Sequence, residues 1–318
     1  PDGGWIASTL QVADDSFISL IDLHDGKLLL KTEALLQPEK ILLFDPEDAS
    51  QEVLYARPPA FDSGALVTEL KETSSRDGTK ISYSIIHDES MVLDGRNPTL
   101  IYGYGGFDVS ITPRYEPLFG KLWLEKGGVY VHAYLRGGGE RGPDWHQSAM
   151  LENRQLPYDD MIAIIEDLQR TKVTDAAHTG IMGRSNGGLM VAAVMTQRPE
   201  LLNAVVVGGP LIDMLTYQLI PPGATWTAEY GDPRNGDMRD FIASYSPLQQ
   251  LTVDQDYPVP LIITSTDDDR VLPGHARRFA AKLEELGYDS YYFEDEQGGH
   301  YWELAGGAAP GDWRARSR

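Results

Sequence analysis

Cysteine is absent from this chain of 318 residues. Its absence excludes a thiol nucleophile, a disulfide scaffold and any zinc site built on Cys. It also leaves the compartment open between cytoplasm and periplasm, since such a chain is tolerated in reducing and oxidising surroundings alike. Basic residues are scarce: 27 Lys and Arg stand against 48 Asp and Glu, a formal net charge of −21. A surface this acidic repels phosphate backbones and anionic headgroups, so neither nucleic acid nor a membrane face is an expected partner. No apolar run approaches the ~18 residues that a spanning helix needs. His132 and His146 lack neighbours at metal-ligand spacing. The glycines of Tyr102-Gly-Tyr-Gly-Gly-Phe107 fail the dinucleotide pattern at Asp108, and Arg136-Gly-Gly-Gly-Glu140 lacks the Lys-Ser/Thr of a phosphate loop. No metal and no cofactor is therefore expected.

What is present is a globular composition, 42% hydrophobic and 24% charged, in a chain long enough for one large domain and part of another. Residue 1 is Pro, with no basic-then-apolar leader after it, and Asp312 to Arg318 reads as the start of an amphipathic helix without a stop signal. The expectation is a piece of a longer protein. Residues 1–64 read as a β stretch and its linker: up to about residue 55 short runs alternate, Phe17-Ile-Ser-Leu-Ile-Asp22 and Lys40-Ile-Leu-Leu-Phe-Asp45 among them, as antiparallel strands do. So short a meander has little core of its own and suits the remnant of a larger β domain. Tyr55-Ala-Arg-Pro-Pro-Ala-Phe61, with its paired prolines, reads as the linker.

Residues 65–318 have another character. A hairpin comes first, Ala65 to Ser74 and Lys80 to His87 around Arg76-Asp77-Gly78. Strand runs then start at Thr99, Gly128, Thr179, Ala204, Pro260 and Tyr291, with helical patterns at Leu118–Glu125, Tyr158–Thr171, Gly188–Gln197 and His275–Leu286 between them. Alternating strand and helix implies an α/β domain with a mostly parallel sheet, whose chemistry collects at the carboxyl ends of the strands.

Gly183-Arg-Ser-Asn-Gly187 follows one of these strands and opens a helix. Gly-x-Ser-x-Gly in that setting is the nucleophile turn of α/β-hydrolases, although an ordinary Gly-rich turn has the same letters. Ser185 needs a base, and the base needs an orienting group. Two His follow it. His275 starts a helix and reads as a cap or surface residue; His300, after the turn Gln297-Gly-Gly299, is the favoured base. The acid belongs at the end of the strand from Pro260, in Asp267-Asp-Asp269. Three adjacent carboxylates cannot all be buried against one imidazole, so one orients it while the others face water or pair with Arg270. The letters alone do not choose among them. For the oxyanion, the Asn186 N–H is one donor, and the Tyr104 hydroxyl in the Gly-rich loop is a second candidate.

These stretches, with Leu135-Arg-Gly-Gly-Gly-Glu140, Trp145-His146, Gln197-Arg-Pro199, Trp226 through Glu229-Tyr-Gly231, Tyr245-Ser-Pro247, Asp268-Asp-Arg-Val271 and Gly298-Gly-His300, resemble the catalytic domain of the prolyl oligopeptidase family of serine peptidases. The likeness runs from about residue 60 almost to the end, in the family's order. It implies an α/β-hydrolase fold preceded by the end of a β-propeller, and Asp268 as the triad acid. It implies further that Tyr104 is the second oxyanion donor, that Arg270 holds a substrate carbonyl, and that Trp226, Phe107, Tyr230 and Val271 form a pocket for a proline ring. The expected activity is an endopeptidase cleaving short peptides after proline. An exopeptidase or carboxylesterase on the same fold is the alternative, and an inactive truncated chain is another. Arg184 departs from the small residue many members carry there. Most of the propeller, the family's leading segment and its last helix are absent from this stretch.

Overall fold

Asp77-Gly78 interrupts the alternation where a hairpin is expected, and the chain turns there. The Ser75 N–H donates to the Thr79 C=O at 2.8 Å and the Gly78 N–H to the Ser75 C=O at 2.9 Å. Gly78 takes φ +86°, which only a residue without Cβ adopts at no cost. In the computed structural model, which describes residues 10–13, 15–296 and 298–300, the flanking runs are strands β5 (Leu66–Ser74) and β6 (Lys80–Asp88). The expected C-terminal helix start at 312–318 and Gln297 lie outside the described residues.

Ahead of the hairpin, β1 (Phe17–His24), β2 (Lys27–Glu33), β3 (Lys40–Asp45) and β4 (Ser50–Ala56) form an antiparallel sheet in chain order. β2 is not legible as an alternating run because Leu28-Leu-Leu30 hides the period; in the sheet only Leu30 of the three is buried. Among the described residues the buried core of this sheet is Leu30, Leu42 and Phe44, with Leu10, Val12 and Leu28 packed against it. The expected linker is partly structure: Tyr55 and Ala56 end β4, and Phe61 is buried. Its ring stacks on Tyr115 at 4.8 Å, and the Tyr115 hydroxyl accepts the Ala60 N–H at 2.8 Å.

The second sheet has the order β12-β11-β10-β9-β7-β8-β6-β5, with β7 (Thr99–Tyr102), β8 (Val129–Ala133), β9 (Thr179–Arg184), β10 (Ala204–Gly208), β11 (Pro260–Ser265) and β12 (Tyr291–Asp295). From β8 through β7, β9, β10 and β11 to β12, neighbours run parallel. The helices are α1 (Pro117–Leu122), α2 (Pro143–Gln147), α3 (Leu156–Arg170), α4 (Asn186–Gln197), α5 (Thr227–Tyr230), α6 (Gly236–Tyr245), α7 (Pro247–Gln250) and α8 (Gly274–Glu285). An all-β region followed by an α/β sheet with helices is the expected fold class.

Helix α4 is the buried centre: every residue from Asn186 to Met195 is buried. Gly187 and Gly188 cost it about 1 kcal/mol each as helix formers. Burying Leu189, Met190, Val191, Val194 and Met195 returns about 1.5–3 kcal/mol for each large side chain, so packing decides. The chain leaves β7 toward β8 on one side, returns to β9 on the other, and continues outward to β12. The carboxyl ends of β7 and β9 therefore flank the point where strand order reverses, the crevice such sheets offer to ligands.

The described residues within Pro1–Glu69, Ile86–Ser90 and Thr112–Gly128 make one compact unit, and those within Leu70–Ile85, Met91–Ile111 and Val129–Arg318 a second. Every candidate site residue belongs to the second.

Candidate active site

Ser185 stands between β9 and α4 with φ +58° and ψ −119°, a conformation that side chains rarely adopt. It is held by its own N–H, which donates to the Gly208 C=O at 2.8 Å. The flanking glycines answer to close approach. A Cβ on Gly183 would sit 2.2 Å from the Gly187 carbonyl oxygen, one on Gly187 2.6 Å from the Gly103 oxygen, and one on Gly188 2.7 Å from the Gly208 oxygen. The half-buried Ser185 thus rides on the N-terminus of a helix whose first amides have no intrahelical partner.

Asp268 follows β11 and is buried, while Asp267 and Asp269 on either side are exposed. Its Oδ1 accepts the N–H of Arg270 at 3.0 Å and of Val271 at 2.8 Å, and its Oδ2 lies 2.8 Å from His300 Nδ1. The backbone after the strand curls round one carboxylate, and that one meets the imidazole. His300 is itself buried.

His275 differs from its expectation as a cap or surface residue. It is buried inside α8, whose N-cap is Pro273, and its Nδ1 accepts the N–H of Ile212 at 3.0 Å and of Asp213 at 3.1 Å. Burial pushes its pKa down to about 4, which keeps the accepting nitrogen unprotonated. The sequence placed it correctly at a helix start but did not show the loop after β10 that folds over it.

The Gly-rich loop after β7 carries Tyr104 and Phe107. Asn186 Nδ2 donates to the Tyr104 C=O at 2.6 Å, tying the loop to the turn that carries Ser185. Phe107 takes φ +57°, and its ring meets Trp226 edge-on at 6.4 Å and Tyr230 at 5.5 Å between centroids. Val271 is buried in the same apolar core, and the Arg270 side chain is exposed. The structure therefore gathers Phe107, Trp226 and Tyr230 into one aromatic group, and places Asn186 against it through Tyr230. Burial raises the Tyr230 pKa well above 10, so its hydroxyl keeps its proton and donates to Asn186 Oδ1 at 2.8 Å.

Sequence reasoning missed what lies behind this group. Arg154 is completely buried. It donates to Glu229 Oε1 at 2.8 Å, to the Gly105 C=O at 3.0 Å and to Asn186 Oδ1. Its guanidinium carbon lies 5.0 Å from the Tyr230 ring centroid. Burial alone would disfavour the charge, and the groups around it, Glu229 included, more than offset that. Nothing in Glu152-Asn-Arg-Gln155 distinguishes Arg154 from a surface cation; its partner is 75 residues away. Among the described residues no group of His, Asp and Glu is arranged to hold a metal ion.

The family model described as prolyl oligopeptidase family matches residues 119–316. This chain belongs to that family. Its parallel sheet and helices are the α/β-hydrolase fold of that family. Among curated relatives, an uncharacterized peptidase of Sinorhizobium fredii is 43% identical over 94% of this chain and 41% of its own length. The prolyl endopeptidase of Elizabethkingia miricola is 36% identical over 78% of this chain and 35% of its own. A solved structure of a post-proline cleaving enzyme from Rickettsia typhi superposes with a TM-score of 0.87 at 36% identity, covering 93% of this chain and 43% of that one. The chain thus spans well under half the length of the relatives it matches.

Proposed function

We propose that the protein is an endopeptidase that hydrolyses short peptides on the carboxyl side of proline through an acyl-enzyme, with residues 1–64 the end of a propeller and 65–318 the catalytic domain. Ser185 Oγ attacks the scissile carbonyl while His300 Nε2 takes its proton, and Asp268 fixes the imidazole with its proton on Nδ1. The oxyanion that forms is held by the Asn186 N–H and the Tyr104 hydroxyl. Collapse breaks the C–N bond, His300 returns the proton to the departing amine, and water repeats the sequence on the ester.

The observation that carries the proline preference is the contact between the aromatic group and the nucleophile turn. Tyr230 donates to Asn186, the residue after Ser185, which supports a slot that presents the carbonyl of a ring seated against Trp226, Phe107 and Val271 to the hydroxyl. A flat aromatic slot suits an uncharged pyrrolidine. Glu229, the acid nearest the slot in sequence, is engaged by Arg154, His146 and the Phe107 N–H, and so offers no free carboxylate to a basic side chain. Arg270, exposed beside Asp268, is the residue assigned to hold a substrate carbonyl in this reading. The prolyl endopeptidase of E. miricola and the post-proline cleaving enzyme of R. typhi bear the same preference in their names.

The test is hydrolysis of an N-blocked Gly-Pro anilide beside its Gly-Ala counterpart and a simple ester. Proline should be preferred, and Ser185→Ala should abolish the activity. Turnover of the ester alone, or activity surviving in Ser185→Ala, would sink the reading.

A further inference from the structure

Arg154 and Glu229 touch three segments that the proposed reaction needs in register. The guanidinium donates to the Gly105 C=O in the loop that carries Tyr104, and to the side chain of Asn186 in the nucleophile turn. The carboxylate accepts the Phe107 N–H at 2.9 Å, and it sits in α5 between Trp226 and Tyr230. That hydrogen bond falls on the residue the loop holds at φ +57°, a backbone state that persists only when its surroundings impose it.

A buried ion pair is weak evidence for stability, since apolar replacements of similar volume are often neutral or better. This one is also incompletely satisfied: the buried Arg154 Nε has no hydrogen-bond partner. Such a pair makes more sense as a device for register than as a source of stability. Resting on the peptidase reading above, we infer that Arg154 and Glu229 are positioning residues which lock the oxyanion loop, the nucleophile turn and the proline slot into one geometry. A slot occupied in the wrong register would then be a site with a displaced oxyanion hole, so the pair couples P1 recognition to turnover.

The deciding variant is Arg154→Met/Glu229→Leu, which removes both charges together and leaves no uncompensated ion. Three quantities are read on the intact protein: kcat per Ser185 labelled by a fluorophosphonate, the Pro/Ala ratio of the anilides, and hydrogen exchange of the amides from Gly103 to Phe107. The double variant should fold. Its kcat per labelled site should fall about 100-fold, as when one oxyanion donor is lost; the Pro/Ala ratio should drop, and the loop amides should exchange faster. A merely structural pair would lower the melting temperature and the labelled fraction but leave these three readouts unchanged, and that result overturns the inference. If the double variant does not fold, Arg154→Lys decides. It keeps the charge but cannot reach Glu229, Gly105 and Asn186 at once, so kcat per labelled site should fall roughly tenfold; an unchanged value overturns the inference. A wild-type protein that cleaves no peptide, with loop exchange still responding to the variant, would sink the peptidase reading and leave the lock standing. Brisk wild-type cleavage with an indifferent loop would do the reverse.

Discussion

One carboxylate of Asp268 serves both His300 and its own backbone: Oδ2 lies 2.8 Å from His300 Nδ1 while Oδ1 accepts the N–H groups of Arg270 and Val271. Asp268→Asn separates the two roles. The amide oxygen can still accept both backbone N–H groups, so the loop should keep its shape. The amide NH2 then faces Nδ1, which forces the imidazole proton onto the other nitrogen and removes the base. Turnover should fall by about 10⁴, the size of effect seen when a triad acid becomes an amide, with little change in melting temperature. The exposed neighbours provide the control: Asp267→Asn and Asp269→Asn should change turnover by no more than about twofold. A comparable loss in either neighbour would remove Asp268 from the site.

That contrast also marks how far the residues speak for themselves. Electrostatics alone says that only one of Asp267, Asp268 and Asp269 can be buried against an imidazole. It does not say which, because the choice depends on how the backbone curls after β11, and it was the family likeness that pointed to Asp268. The turn at Ser185 was legible because the close approach of Gly183 to Gly187 is a steric demand contained within five residues. The strands with clean alternation or short apolar runs were legible for the same reason, whereas three consecutive leucines concealed β2. Arg154 and Glu229 were not legible in their roles. Their pairing is set by tertiary closure, and a buried cation in a polar stretch looks like a solvated one until its partners arrive.

The glycines around Ser185 carry a stability prediction. A Cβ at Gly183 would meet the backbone oxygen of Gly187 at 2.2 Å, and neither peptide can retreat without moving β9 or α4. Gly183→Ala should cost about 1–3 kcal/mol or more as overpacking does, and slow labelling of Ser185 by displacing the turn. Gly287→Ala is the comparison: Gly287 has φ +86° but open space around it, so only the left-handed backbone is penalised, by about 1–2 kcal/mol, and Ser185 should label at the wild-type rate. Equal labelling rates in both variants would show that the close approach does not shape the turn.

Trp226 tests the slot. Its ring meets the edge of Phe107 at 6.4 Å between centroids, and Trp226→Leu keeps an apolar wall while removing the flat face. kcat/KM for the Gly-Pro anilide should fall about 10–100-fold, the range expected when apolar contacts in a specificity pocket are lost. The Gly-Ala anilide, whose methyl never reached the ring, should lose less than about threefold. Parallel losses on the two substrates would mean that Trp226 supports the fold without reading the P1 side chain.

Acid should unfold this protein partly through His132. The imidazole is buried in β8 with its Nδ1 unpartnered, against the edge of Tyr130 at 5.0 Å, and burial pushes its pKa down from 6.5 to about 4. The unfolded chain binds a proton at 6.5 that the folded chain refuses until about 4. Stability is therefore whole above pH 6.5 and drains away as the pH falls toward 4. At pH 5 the loss from this one group is about 2 kcal/mol, and His275, held down to about 4 in the same way, adds a similar amount. His132→Phe preserves a ring of similar shape in the same apolar site and cannot titrate. Its melting temperature should fall less than the wild type's between pH 7 and pH 5, with about 4–8 °C retained at the lower pH. Identical pH profiles for the two proteins would mean that His132 is already protonated in the fold or reaches water there, and that acid acts elsewhere.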